Sequence, residues 1–246
     1  MIAIFLLVNL SPVILSNGII QKNFFVVWNV GQGQWATFIQ SEKCLHFDTG
    51  GEKMPAKKIK LACGSKRNKL FLSHWDWDHI SFAGRLRNIL PRNCMALPPV
   101  GKSSVRKQNL IAGMRDCGES ESQVRPLFRA DIHEKGSNDS SHVLMLEKQI
   151  LIPGDSPSSK ERIWEENVEI KSARWLLLGH HGSRGSTSEE LLNRLPSLKL
   201  AIASARIKKY GHPHIEVVER LRRHSVPILR TEDWGNIWIE VPRERI

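Results

Sequence analysis

Short apolar runs separated by polar turn residues recur along the chain after residue 20. Runs of this length and composition predict strands. Several intervals between them are too long for hairpins alone, which favours strands alternating with helices and hence an α/β fold. The ten predicted strands cover residues 24–30, 37–39, 44–47, 70–72, 143–146, 150–152, 175–178, 200–203, 228–230 and 237–241.

Two helices carry clear signals in the second half of the chain. Ser186 stands three residues before Glu189, which is the spacing of a capping box, and a leucine-rich stretch follows until Pro196. Residues 214–224 place apolar side chains on one helical face and several arginines elsewhere. This second helix is therefore predicted to be amphipathic, with a basic polar side.

The first 20 residues are almost entirely apolar and carry no charged side chain. This length nearly spans a bilayer, but a secretory signal normally shows Lys or Arg before its apolar core. We expect residues 1–21 to be an anchor, an atypical signal or the remnant of a larger membrane protein; a buried first strand is the alternative. Residues 22–246 then form one globular domain, which we expect to be membrane-associated or exported (periplasmic or extracellular) rather than cytoplasmic.

The charge balance is strongly basic. The chain has 36 Lys and Arg against 25 Asp and Glu, a formal net charge of +11. Basic residues are concentrated in segments 53–69 and 101–107. An excess of this size favours a polyanionic partner, with nucleic acid as the first candidate. A basic surface that serves only solubility is the alternative.

The cysteine pattern excludes two kinds of site. The four cysteines lie far apart and form no CxxC pair, so a zinc ribbon and a thioredoxin-type redox site are not indicated. We expect structural or free thiols, or one or two disulfides if the protein is exported, with a pairing that the spacing does not reveal. The four are Cys44, Cys63, Cys94 and Cys117.

The strongest chemical signal is the sequence HWDWDH at residues 74–79, directly after a predicted strand. In an extended segment alternate side chains point the same way, so His74, Asp76 and Asp78 share one side. A turn at the end of the segment would bring in His79. Crowded carboxylates and imidazoles are costly without cations to neutralise them, which indicates a metal site.

Polar residues also follow three other predicted strands. Asp48 follows 44–47, Asp155 follows 150–152, and the pair His180 and His181 follows 175–178. Strand ends gather along one edge of a sheet, which is where α/β proteins place their sites. Each residue alone is typical of a turn or a cap. Together with segment 74–79 they predict a site for two metals.

Eight short motifs occur in an order that resembles a known family. They are NVGQGQ (29–34), DTG (48–50), HWDWDH (74–79), NDSS (138–141), PGD (153–155), HHGS (180–183), YGHP (210–213) and RTEDWG (230–235). The series resembles the metallo-β-lactamase-like domain at the carboxyl end of ComEC-type DNA-uptake proteins, over residues 24–240. The resemblance implies a four-layer αββα sandwich with two divalent metal ions between the sheets, and a nuclease that degrades one strand of incoming DNA.

The same resemblance implies a set of metal ligands. His74 and Asp76 would hold the first ion. Asp78 and His79 would hold the second, and Asp155 would bridge the two. Six ligands that include three carboxylates permit Zn²⁺ or Mn²⁺, and the sequence does not choose between them.

The remaining positions concern the second ion and the substrate. Either His180 or His181 would complete the second metal site; we favour His181 as the ligand and His180 as a phosphate or acid contact. Asp48 would orient a ligand histidine. We expect further groups to stabilise charge or contact substrate, namely His180, His212, Ser183, Lys208 and Lys209. For His212 a helix N-cap before Pro213 is the alternative.

The chain departs from the family pattern at three positions. The opening motif of the family usually reads DVGQGD, and here Asn29 and Gln34 replace both acids. If either acid takes part in catalysis, its replacement puts activity in doubt; if both only brace loops, an amide can serve. Asn138 stands where many relatives have a further histidine ligand, so the first metal site is expected to be oxygen-rich or short of one ligand.

These observations predict a binuclear hydrolase that cleaves phosphodiester bonds in DNA, in a competence or DNA-uptake context. Two alternatives stay open. One is a small-ester hydrolase, for example of the phosphorylcholine type, because one fold supports many activities. The other is an inactive DNA-binding module. A basic rim around the metals would favour DNA, whereas a small closed pocket would favour a small ester.

Overall fold

The computed structural model describes residues 22–118, 120–134 and 136–242. Its strands form two six-stranded sheets. The first sheet has the order β12-β1-β2-β3-β4-β5, and its strands are β1 (Asn23–Val27), β2 (Ala36–Ile39), β3 (Lys43–Phe47), β4 (Arg67–Phe71), β5 (Asn93–Leu97) and β12 (Ile237–Val241). Strand β4 is parallel to both of its neighbours, and the other pairs are antiparallel.

The second sheet mixes directions in the same way. Its order is β11-β10-β9-β8-β7-β6, and its strands are β6 (Val124–Phe128), β7 (Val143–Leu146), β8 (Ile150–Ile152), β9 (Trp175–Leu177), β10 (Leu200–Ala203) and β11 (Ile228–Arg230). From β8 to β11 neighbouring strands are parallel. All ten predicted strands are confirmed, and the sequence pattern missed β5 and β6, which are edge strands.

The helices form the outer layers. Those near the first sheet are α1 (Ala56–Cys63), α2 (Trp77–Ile80), α3 (Ala83–Ile89) and α4 (Val105–Ile111). Those against the second sheet are α5 (Ser158–Trp164), α6 (Glu189–Asn193) and α8 (Ile215–Arg223). Two short helices are α7 (Ile207–Tyr210) and α9 (Thr231–Trp234), and 3-10 turns cover Asn138–Ser140, Val168–Ser172 and Gly179–Gly182.

The core has three apolar layers because both faces of each sheet are buried. In β1, Phe25 and Val27 pack between the sheets, while Val26 between them packs toward the helices. Between the second sheet and its helices, Trp164 of α5 and Leu221 of α8 are buried. Each such side chain contributes about 1.5–3 kcal/mol to stability. The predicted αββα sandwich is confirmed.

The helix caps differ in part from the prediction. Helix α6 begins after Ser188, whose hydroxyl accepts the Leu191 N–H at 3.1 Å, so the predicted cap at Ser186 is wrong. The buried Ser186 hydroxyl instead donates to the Gly179 carbonyl at 2.7 Å. The amphipathic helix at 214–224 is confirmed as α8. Its cap is His214, so the N-cap interpretation of His212 is also wrong.

All four cysteines are paired in two disulfides, Cys44–Cys63 and Cys94–Cys117. The first ties β3 to the end of α1, and the second joins β5 to the chain beyond α4. The hydrophobic segment at residues 1–21 lies outside the described residues. Within the described ranges no helix combines the length and hydropathy that crossing a bilayer requires.

Candidate metal centre

The residues expected to bind metal lie where four segments leave the carboxyl ends of parallel strands. In the first sheet β3 leads into Asp48, and its parallel neighbour β4 leads into segment 73–79. In the second sheet β8 leads into Asp155, and its parallel neighbour β9 leads into His180 and His181. Because the carboxyl ends of parallel strands share one edge of a sheet, the two segments that leave each sheet lie side by side at that edge.

Asp48 is a buried carboxylate that fixes the imidazole of His79. Its Oδ2 lies 2.8 Å from Nδ1 of His79. The same carboxylate accepts hydrogen bonds from the Ser73 backbone N–H at 2.7 Å and from Gln34 Nε2 at 2.8 Å. Because Nδ1 of His79 donates to Asp48, Nε2 is the atom of this imidazole that can bind a metal, once a bound cation has displaced its proton.

Two further histidines are held in the same manner. Nδ1 of the buried His181 lies 3.1 Å from the Ser204 carbonyl, to which it donates. Nδ1 of the buried His74 lies 2.9 Å from Ser73 Oγ. The Ser73 hydroxyl donates to Asp48, so it accepts from His74. In all three imidazoles the Nε2 atom is therefore the free ligand atom.

These Nε2 atoms and two carboxylates converge. His79 Nε2 lies 3.2 Å from His181 Nε2 and 3.0 Å from Asp155 Oδ1. His181 Nε2 lies 3.1 Å from Asp78 Oδ2, and His74 Nε2 lies 3.8 Å from Asp155 Oδ2. Ligand atoms at the usual distances around a tetrahedral ion are separated by about 3.3 Å. The side chains are therefore spaced as metal ligands are.

Two of the converging atoms lack any other partner. His74 Nε2 and Asp155 Oδ1 are buried, and among the described residues neither has a hydrogen-bond partner outside the converging side chains. Leaving such groups unpaired is costly. The candidate metal ligands form two overlapping sets. One set is His74, His79 and Asp155, and the other is Asp78, His79 and His181. Imidazole and carboxylate ligands in this arrangement fit divalent metal ions.

The two carboxylates stay charged at neutral pH. Burial alone would raise the pKa of Asp155, but its electrostatic interactions with the adjacent imidazoles of His79 and His181 hold it well below its usual range. Burial also acts to raise the pKa of Asp78, while the hydrogen bond with His181 and the charge of His79 lower it to about 2. The centre therefore offers negative charge that would offset bound cations.

Asp76 lies at the rim, and its side chain is 36% exposed. Its Oδ2 is 3.5 Å from His74 Nε2, which places it beside the first expected metal position. Its Oδ1 accepts a hydrogen bond from Ser137 Oγ at 2.8 Å and lies 3.4 Å from Lys107 Nζ. Asp76 thus has one oxygen toward the centre and one anchored outside it, and it belongs to neither three-residue set.

His180 and His212 lie at the mouth of the centre. Nε2 of His180 is 3.6 Å from Asp155 Oδ2, and its Nδ1 lies 3.4 Å from the Asn138 amide nitrogen. The His212 ring is centred 6.0 Å from the His180 ring and is held by Gln32, whose amide nitrogen is 3.3 Å from Nδ1. Burial lowers the pKa of both imidazoles, so both are neutral at pH 7.

The residues expected to contact substrate lie farther out. Across the described ranges, no hydrogen bond or ion pair joins the side chains of Ser183, Lys208 or Lys209 to the metal-centre side chains. Lys209 Nζ pairs with Glu52 Oε1 at 2.6 Å and thereby lowers the pKa of Glu52 to about 2. Lys208 is exposed, and Ser183 Oγ accepts the Gly185 N–H at 3.5 Å.

A solved structure supplies the fold assignment for this arrangement. The metallo-β-lactamase fold protein YhfI from Bacillus subtilis superposes with a TM-score of 0.53, covering 89% of this chain and 100% of that one at 13% identity. The chain has the metallo-β-lactamase fold. At this identity the likeness concerns the fold alone.

Relatives in sequence confirm the ComEC-type resemblance. ComE operon protein 3 from Bacillus subtilis is 29% identical over 207 residues, which is 76% of this chain. Recombination protein 2 from Haemophilus influenzae is 25% identical over 89% of the chain, and Competence protein ComA from Neisseria gonorrhoeae is 29% identical over 84%. The matched regions are 26%, 29% and 30% of those relatives, so this chain spans under a third of their length. No protein-family model matches the chain.

In this metallo-β-lactamase fold the turn that presents Asp78 and His79 is held by backbone contacts. Thr49 N donates to the His79 carbonyl at 2.7 Å, and Gln34 N donates to the Asp78 carbonyl at 2.8 Å. A Cβ on Gly50 would lie 2.3 Å from the Asp78 carbonyl carbon. The glycine is therefore required because two backbone segments meet here.

Sequence reasoning missed three groups that orient the centre. Ser204 directly follows β10 and Ser73 lies two residues beyond the end of β4, so the rule that polar residues at strand ends form sites would have found both. Gln34 was noticed only as a replaced acid, yet its amide braces Asp48. Asn29, the other replacement, donates to the Thr231 carbonyl at 2.7 Å and so links the first loop to α9. Both amides therefore make bracing contacts.

Proposed function

We propose that this chain is a metal-dependent hydrolase that holds two divalent ions, Zn²⁺ or Mn²⁺, and cleaves phosphodiester bonds in DNA. The observation that carries the proposal is the buried convergence of His74, His79 and His181 on Asp155, with the Nε2 of His74 left without a partner. One relative is named a competence protein and another a recombination protein, which supports DNA as the substrate class.

The residues of the centre would divide between two ions, with Asp155 available to both. His74 and Asp76 would hold the first ion, and His79, His181 and Asp78 would hold the second. When bound, two such ions supply a nucleophile at neutral pH and stabilise charge on the phosphoryl oxygens. Asp48 acts indirectly, because its bond to Nδ1 holds the His79 ring and its free nitrogen in place.

His180 and His212 are the groups of this chain that contact the reacting phosphate in our proposal. Each is a neutral imidazole at the mouth of the centre and keeps one N–H donor. A donor aimed at an oxygen that gains charge in the transition state lowers the barrier by a few kcal/mol. Asn138 and Gln32 hold these rings by contacts of 3.4 and 3.3 Å, so the donors are positioned before substrate arrives.

The proposed substrate is DNA rather than a small ester. The net charge of +11 suits a polyanion, and Lys107 places a cation 3.4 Å from Asp76 at the rim of the centre. The test compares single-stranded DNA, double-stranded DNA and a chromogenic phosphorylcholine ester under identical metal conditions. Cleavage of DNA supports the proposal. Turnover of the ester alone would assign a small-ester hydrolase, and DNA binding without any cleavage would assign an inactive binding module.

DNA binding should weaken steeply as salt rises. Each phosphate that a Lys or Arg neutralises releases counterions, so log Kd changes by about 0.7 per contact for single strands when salt changes tenfold. Three contacts predict a slope of about 2 and further contacts a steeper one, measured by fluorescence anisotropy between about 50 and 200 mM salt. An affinity that does not change over this range would contradict a phosphate-based interface.

We also propose that the chain functions in an oxidising compartment. Both disulfides lie within the domain and use all four cysteines. Disulfides persist outside the reducing cytosol, in the periplasm or beyond the cell. Membrane attachment through residues 1–21 remains part of this proposal.

A further inference from the structure

Trp77 is a large apolar side chain at the rim of the metal centre. It begins α2 and stands between Asp76 and Asp78, two of the proposed ligands. Trp77 is nevertheless 39% exposed, whereas Trp75 in the same segment is buried in the core. An indole left in solvent beside a polar site is available to a ligand.

Helix α4 places two cations against this indole. The Arg106 guanidinium carbon lies 4.9 Å from the Trp77 ring centroid, and Lys107 Nζ lies 5.9 Å from it. Lys107 Nζ is also 3.4 Å from Asp76 Oδ1, so it links the indole to the metal centre. Arg106 is exposed and forms no ion pair with any described residue, which leaves its charge available to a phosphate.

We propose that Trp77, with Arg106 and Lys107, forms a platform that stacks an unpaired base of single-stranded DNA beside the metal centre. This inference rests on the proposed function for its choice of DNA. Aromatic side chains combined with cations are how proteins bind single strands without reading their sequence. In a duplex both faces of each base are already stacked, so the platform favours single strands over duplexes.

The test separates stacking from charge by comparing two ligands. One is a fluorescein-labelled thymidine oligonucleotide, and the other is an oligonucleotide of equal length built from abasic sites. Binding is measured by anisotropy on the full chain in the presence of a chelator, so that cleavage does not intervene. We expect Trp77→Ala to weaken binding of the thymidine oligonucleotide by about 5- to 100-fold. It should leave binding of the abasic oligonucleotide unchanged.

Three more variants complete the design. Trp77→Phe should recover much of the lost affinity, because phenylalanine still offers a ring. Arg106→Ala should weaken the binding of both oligonucleotides equally. It should also reduce the slope of log Kd against log salt concentration by about 0.7. Trp234→Ala, which removes another exposed tryptophan (46%) on α9, should change neither affinity.

Two results would overturn the platform. One is unchanged affinity of Trp77→Ala for the thymidine oligonucleotide. The other is an equal loss of affinity for both oligonucleotides, which would mean that the indole supports only local structure. The outcome is independent of hydrolysis. If Trp77 makes the wild type bind the thymidine oligonucleotide more tightly than the abasic one but no DNA is cleaved, the platform is supported and the proposed nuclease activity is refuted. If DNA is cleaved but the two oligonucleotides bind equally well, the nuclease activity is supported and the platform is refuted.

Discussion

Asp155→Asn should lower DNA cleavage by about a thousandfold or more, the equivalent of about 4 kcal/mol in the barrier. Asp155 is buried and lies within 4 Å of the Nε2 atoms of His74, His79, His180 and His181. In our proposal it binds both ions and offsets their mutual repulsion, which a neutral amide of the same shape cannot do. Cleavage rates at saturating metal measure the effect.

The matched control is Asp139→Asn in the loop beside Asn138. Asp139 belongs to neither set of converging donors, so this variant should retain most of its activity. Metal content should fall in Asp155→Asn and stay unchanged in Asp139→Asn, while both keep the wild-type fold by circular dichroism. Near-equal cleavage rates for the wild type and Asp155→Asn would refute the shared carboxylate.

Asp48→Asn should reduce metal affinity by about 10- to 100-fold. Asp48 does not reach the metal positions itself; it holds Nδ1 of His79 at 2.8 Å and also accepts from Ser73 and Gln34. An asparagine in its place carries no negative charge. Its NH₂ group would also face the donor groups of neighbouring residues, with which it cannot form hydrogen bonds. Because the deficit lies in metal binding, excess metal should restore much of the cleavage rate.

Asp233→Asn is the control for this substitution. Asp233 is an exposed aspartate on α9 that contacts Arg230, so its loss should leave metal affinity unchanged. Metal affinity is measured by competition with a chromophoric chelator. If Asp48→Asn binds metal like the wild type, the hydrogen bond to His79 does not orient a ligand.

Continuous apolar runs made the inner strands β7 and β8 of the second sheet predictable from the sequence. Strand β7 has four buried residues in a row and β8 has three, because sheets covered on both faces demand apolar side chains at every position. Edge strand β6 carries Arg125 and Pro126 and is mostly only half-buried, so it lacks that signal. Edge strand β5 reads NCMAL, which is too mixed to distinguish from a loop.

The candidate ligands could be found from the sequence because each lies a few residues after a strand or in the compact HWDWDH segment. The hydrogen bonds that orient these ligands could not be predicted from the sequence. Gln34 and Asp48 are 14 residues apart, and Ser204 lies 23 residues beyond His181. No local pattern encodes such pairings, since the pairing of neighbouring strands within each sheet creates them. The capping error has a similar cause, because the Ser186 hydroxyl is already used by the Gly179 carbonyl.

Metal reconstitution with a cleavage readout tests the central claim most directly. The protein is stripped with a chelator, titrated with Zn²⁺ or Mn²⁺, and assayed on labelled single-stranded and double-stranded DNA, while bound metal is counted by elemental analysis. We predict no cleavage by the stripped protein and recovery of cleavage as about two ions bind per chain. Failure to bind more than trace metal, or cleavage that is equal with and without metal, would contradict the account.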